Sequence, residues 1–350
     1  MPPLKFTIET PEQVQAAEEQ LRNAGKLKGN GTGSASGPRV LGVADLLALD
    51  TPAPSMLIEN IVPERGASLI VGAAKTNKTL IAVQMAIAEA SGNPFLENYE
   101  VLRPGPVLMV EQDDPAGAAS IKEVLKRSPV PVDGIPFHLV ERVPFNFGVE
   151  LLEWLEEKIL GLKLCLTVLD SYTALRGSRG SGIDIVKSEQ NDLTLLDELG
   201  KRANCAIAII HHASKGSAAL DWSDQAAGTF AMSAATQSQI HVSRFRELDG
   251  NAPERLIRIR GRHHEGMELV VRFRKDTLDH QHVLEGGAAP LYPLLMQIQS
   301  ELGSQTFGPK ELSHATGFSR ATSGRQIERL YRAGVLHKRG FGAYSLTEVR

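Results

Sequence analysis

Ser68-Leu-Ile-Val71, running straight into Gly72-Ala73-Ala74-Lys75-Thr76-Asn77-Lys78-Thr79, decides how this chain is read. The apolar run lacks the two-residue alternation of a half-exposed strand, so it reads as a strand covered on both faces. Beyond the polar turn, Leu80 to Ala90 places apolar residues at helical spacing. Strand, glycine-led loop and helix in this order suit a phosphate. Backbone N–H groups and the helix N-terminus face the anion, the Lys78 ammonium reaches its outer oxygens, and the Thr79 hydroxyl can join the shell of a Mg²⁺ ion. Asn77 stands where such loops usually carry a second glycine, and Asn is the next best residue for a positive φ. The stretch Gly72, Ala73, Ala74, Lys75, Thr76, Asn77, Lys78, Thr79 and Leu80 is therefore the candidate site for ATP; the competing reading is a surface turn rich in Lys and Asn.

Three more apolar runs repeat the pattern: Val107-Leu-Met-Val110, Leu164-Cys-Leu-Thr-Val-Leu169 and Ala206-Ile-Ala-Ile-Ile210. Helical segments separate them from about Arg39 to Ala288, which predicts βαβ units and a mainly parallel sheet. Each run ends in a polar group: Glu111, Asp170 or His211. In an open α/β sheet, ligands bind beyond the carboxyl ends of the strands, so these endings belong to one site with the loop. Asp170 suits a carboxylate that holds Mg²⁺ beside the phosphates, or one that caps the next turn. Glu111 can polarise the water that attacks a γ-phosphate, unless Asp113 or Asp114 caps a helix there and Glu111 is merely solvated. An imidazole at His211 or His212 can sense that phosphate.

The 350 residues allow about two domains, and 42% apolar with 23% charged residues is ordinary globular usage. A formal charge of -3 excludes a globally basic nucleic-acid coat but not a local patch. Cys165 and Cys205, the two cysteines, sit in apolar runs and read as core residues in a reducing compartment. No apolar stretch reaches the roughly 18 residues of a membrane span, so a soluble, cytoplasmic protein is expected. Residues 1–38 read as a flexible extension, with a short helix over Pro11 to Ala24 before a Gly- and Ser-rich linker. Residues 39–288 read as the α/β domain and 289–350 as a small separate one. In that last part Pro293 to Leu302, Pro309 to Ala315 and Ser319 to Ala333 are expected helices, and Gly340 to Leu346 a turn entering a strand.

The loop, Glu111-Gln-Asp-Asp, Leu169-Asp-Ser and Ile210-His-His-Ala-Ser-Lys-Gly216 together resemble the RepA-like replicative helicases of plasmids and the wider RecA-like ATPases. The resemblance covers roughly Pro54 to Asp276. It implies a RecA-like core, usually a homo-hexamer or other ring with ATP between subunits, and a motor on single-stranded DNA. Carried over residue by residue, Lys78 and Thr79 bind phosphate and Mg²⁺, Glu111 is the base, Asp170 the second magnesium-side carboxylate, and His211 or His212 the sensor. Lys215 then lies with the DNA contacts. A loader or recombination accessory that does not unwind, and a regulator that holds ATP structurally, are the other two readings.

The tail resembles a winged helix-turn-helix, whose third helix enters the major groove of duplex DNA while the wing meets the backbone. From Pro290 to Arg350, eight basic residues against four acidic ones give +4. Ser319 can cap the third helix, placing Arg320, Ser323 and Arg325 toward DNA, with Lys338 on the wing. A wing that docks on protein is the alternative. Finally, Arg255-Leu-Ile-Arg-Ile-Arg-Gly-Arg262 alternates as a strand with a basic face. Arg260 is the first candidate for a guanidinium reaching the phosphate held by a neighbouring subunit.

Overall fold

A computed structural model of the chain describes residues 41–49, 55–177, 185–212, 232, 234–245, 252–262, 265–285 and 290–346. The expected helix over Pro11 to Ala24 and the linker after it lie outside the described residues. Two compact units divide the chain, Met1–Ala53 and Pro54–Arg350. In the first, α1 (Val43–Leu47) follows Gly42 and buries none of its residues. No helix among the described residues is long and apolar enough to cross a membrane.

The second unit opens with a short antiparallel ribbon, β1 (Met56–Ile58) and β2 (Val62–Pro63). It then alternates β3 (Gly66–Gly72), α2 (Lys78–Ser91), β4 (Val107–Glu111), α3 (Ala118–Arg127), β5 (Phe137–Glu141), α4 (Val149–Leu162) and β6 (Leu166–Asp170). Next come α5 (Tyr172–Arg176), α6 (Ile185–Arg202) and β7 (Ala206–His212), followed by β8 (Ser238–Arg244), β9 (Glu254–Gly261), β10 (Met267–Arg274) and β11 (Asp279–Glu285). The nine strands β3 to β11 form one sheet, ordered β11-β10-β9-β8-β3-β7-β6-β4-β5. From β8 to β5 every pairing is parallel, and from β8 to β11 every pairing is antiparallel. The change of direction falls where helical crossovers give way to consecutive strands, which can be joined without a crossover.

Strand alternation sends side chains to two cores. On one face Ile70, Met109, Val168 and Ile210 pack with Ile81 and Met85 of α2; on the other Leu69, Val110, Leu169 and Ile209 pack with Leu155 of α4 and Leu196 of α6. Cys205 is fully buried and Cys165 partly so, each immediately ahead of its strand rather than within it. The antiparallel extension curls back onto α2. Gln84 bonds the backbone of His280 twice, donating to its carbonyl at 2.7 Å and accepting from its N–H at 2.9 Å. Nearby, Arg274 and Gln281 both hold Glu97.

The chain ends in α7 (Tyr292–Glu301), α8 (Pro309–Thr316), α9 (Arg320–Arg332) and the hairpin β12 (Leu336–Gly340) with β13 (Ala343–Leu346). Ile298, Phe307, Leu312, Ile327 and Leu330 make its own small core. Tyr292 seats the segment on the sheet: its hydroxyl donates to Glu254 at 2.6 Å and accepts from Arg272 at 2.9 Å, while its ring meets Phe245.

Candidate active site

Gly72 closes β3 beneath β8. A Cβ there would fall 2.1 Å from the carbonyl oxygen of Val242, so no side chain fits, and the chain turns at once into the loop. Ala73, Ala74 and Lys75 are exposed, and Thr76 ties the turn by donating to the Ala73 carbonyl at 2.9 Å. Asn77 has φ 70° and ψ 28°, the left-handed conformation expected of it, and is followed by the first turn of α2. Lys75 also has a positive φ of 62°. The buried Lys78 ammonium folds back over the loop and donates to the carbonyls of Gly72 and Ala73, each at 2.9 Å. Burial lowers its pKa to about 8, opposed by the negative charges of Asp170 and Asp113.

The two predicted carboxylates end neighbouring strands in register, Glu111 beside Asp170. By alternation both point to the face that carries α2. Asp170 accepts from the Thr79 hydroxyl at 2.6 Å, joining the loop to β6. Burial, then the charge of Glu111, raises the Asp170 pKa to about 7. Glu111 is also buried and raised, chiefly by burial; its Oε1 accepts from the N–H groups of Asp113 and Asp114 at 2.9 Å while Oε2 has no partner. The solvated alternative for Glu111 thus fails. Neither Asp113 nor Asp114 caps α3, whose N-cap is Gly117; Asp114 instead accepts from Ala116. Ser171 caps α5 by accepting from Ala174, a role that sequence reading missed.

The two histidines part company because successive strand residues face opposite ways. His212 turns to the α2 face, where its Nε2 lies 3.0 Å from Asp113. His211 turns to the other layer, edge-on to Tyr172 and 3.5 Å from the Thr173 hydroxyl, and burial lowers its pKa to about 4. An open cleft of about 1000 Å³ faces the loop, lined by Lys75, Thr79, Leu80, Glu111, Asp170 and Leu278 among others. Among the described residues no group of three or more His, Cys, Asp or Glu is placed to hold a metal by itself.

Farther off, β9 carries Arg260 exposed, while Arg258 pairs with Glu268 and Arg262 donates to the carbonyls of Thr236 and Ala234. In the tail Ser319 caps α9 through the Thr322 N–H, and Arg320, Arg325 and Lys338 are exposed. Ser323 corrects the reading of that helix. It is fully buried, because it lies four and seven residues ahead of Ile327 and Leu330 on the apolar stripe, and it faces no solvent. Lys215 lies outside the described residues.

A glycine-led loop between a buried parallel strand and a helix, with two strand-end carboxylates beside it, defines a RecA-like P-loop ATPase of the α/β class. Residues 36–218 match the AAA domain family, and the chain belongs to it. Among solved structures, the ATPase domain of another protein has the same fold, with a TM-score of 0.51 at 9% identity, covering 79% of this chain and 100% of that one. No curated protein matches the chain.

Proposed function

We propose that this ATPase is a RecA/RepA-like motor that acts on DNA, assembled as a ring that holds single-stranded DNA, with a winged helix at residues 289–350 for the duplex. One observation carries the reading. The tail presents Arg320, Arg325 and Lys338 to solvent and is seated by Tyr292 on β9 and β10, strands of the same sheet that forms the nucleotide site. Basic residues that contact DNA are thereby joined to the part of the molecule that ATP acts upon.

Within the site, the loop N–H groups and Lys78 bind the phosphates. Thr79 and Asp170 fit Mg²⁺, since the charge of Glu111 helps to raise the buried Asp170 carboxyl and Glu111 Oε2 has no partner, a grouping that a cation relieves. The ion, when bound, neutralises charge on the transferring phosphoryl group. Glu111 takes the proton of the attacking water. Of the histidines, His212 stands on the loop's side and suits the sensor role; Arg260 acts on the nucleotide of a neighbouring subunit. Displacement of a labelled strand from a partial duplex tests the reading. ATP-dependent displacement, lost in Lys78→Ala, is expected; hydrolysis without displacement would make the protein a loader or remodeller instead.

A further inference from the structure

The residue directly ahead of Lys78 is Asn77, whose left-handed dihedrals set the direction of the peptide that leads into the lysine. Its carboxamide makes no capping bond to α2. It lies instead 3.4 Å from Nε2 of His280, some 200 residues away on the edge strand β11.

His280 is held on three sides. It is fully buried, its backbone is bonded at both ends by Gln84 of α2, and its ring stacks at a tilt on Phe273 with centroids 5.3 Å apart. Burial, with Arg255 nearby, drives its pKa down to about 3, so the ring is neutral at any working pH. A neutral imidazole has one donor and one acceptor nitrogen, and Nδ1 has no partner, which leaves Nε2 as the nitrogen in use. Glycine adopts the left-handed conformation at no steric cost, whereas Asn carries a Cβ that opposes it, so an anchored carboxamide matters here where it would not at a glycine.

We propose that His280 is a positioning residue for the phosphate loop: seated by Gln84 and Phe273, its Nε2 holds the Asn77 side chain, and so the left-handed turn directly ahead of Lys78. The edge of the antiparallel extension is thus coupled to nucleotide binding. The inference rests on Lys78 and its loop being the ATP site; failure of that reading shows separately, as turnover retained in Lys78→Ala.

The test is a double-mutant cycle on ATP turnover. His280→Phe keeps the ring volume against Phe273 and removes the nitrogen. In the Asn77 chain it should raise KM for ATP by about tenfold with kcat nearly kept, and in an Asn77→Gly chain by less than about twofold. His280→Gln, which restores a hydrogen-bonding group, should recover most of the loss. Should His280→Phe fail to fold, Gln84→Met, half-buried on α2, removes the two bonds that seat His280 and carries the same cycle. Equal effects in the Asn77 chain and in the Asn77→Gly chain, or none in the Asn77 chain, would overturn the proposal.

Discussion

Lys78 lies folded over the loop on two carbonyl oxygens, a posture in which a bound phosphate replaces those acceptors with charged ones. Removing its ammonium deletes charge that opposes the build-up on the transferring phosphoryl group. Lys78→Ala should therefore lower ATP turnover by at least about a hundredfold, read by phosphate release. Glu111→Gln separates binding from chemistry. It keeps the acceptor for the Asp113 and Asp114 N–H groups and removes the carboxylate proposed as the base, so ATP should still bind while turnover falls about 10²- to 10⁴-fold. Normal hydrolysis in Glu111→Gln would move the base elsewhere, with Asp113 next. At this scale much was legible in the sequence. The positive φ of Asn77 and the strand-end positions of Glu111 and Asp170 follow from local pattern alone. His280 and Gln84 gave no signal, because their meaning comes from contacts with residues far away in the chain. Ser323 was misread because a small polar residue on an apolar stripe looks like a surface residue until its neighbours close over it.

Helix α2 carries the phosphate loop at one end and a buried acid at the other. Glu89 is fully buried, neither carboxylate oxygen has a partner, and burial raises its pKa from 4.5 to about 8, with Arg103 opposing. The folded chain thus holds a proton that the unfolded chain gives up near 4.5. Stability linked to that proton is complete below pH 4.5 and is lost as pH rises through about 8. Relative to the parent chain, Glu89→Gln should change unfolding free energy little at pH 4.5 and raise it increasingly toward pH 8, by an amount on the order of a few kcal/mol in denaturant titrations. A constant difference across that window would show that Glu89 is already ionised. Helix α9 supports a second prediction at this scale. Arg320→Ala with Arg325→Ala should weaken duplex binding and reduce the slope of log K against log salt by about two if both meet phosphate. An unchanged slope would assign the helix to a protein partner. Of the strands in parallel pairings, β3, β4, β6 and β7 were readable from their unbroken apolar runs, whereas β5 and β8 carry no such run; β9 was readable from its alternation. The pairing of β11 against α2 was not, since curling of a sheet edge onto a helix leaves no periodicity in either.

Across the whole molecule, the proposed ring would have one subunit complete the site of the next. Arg260→Ala and Lys78→Ala subunits, each inactive alone, should regain part of the turnover when mixed, because some interfaces then join an intact loop to an intact arginine. A monomer in sedimentation with ATP present, hydrolysing at a specific rate independent of concentration, would exclude an arginine acting in trans. The tail packs on β9 and β10 through Tyr292, so DNA bound there, as proposed, would bear on the same sheet as the nucleotide. Coupling between the two ligands is best read from ATP turnover with and without single-stranded DNA at fixed salt. A several-fold or greater stimulation that vanishes in Lys78→Ala is the expected result. A rate unaltered by saturating single-stranded DNA would contradict a DNA-acting motor.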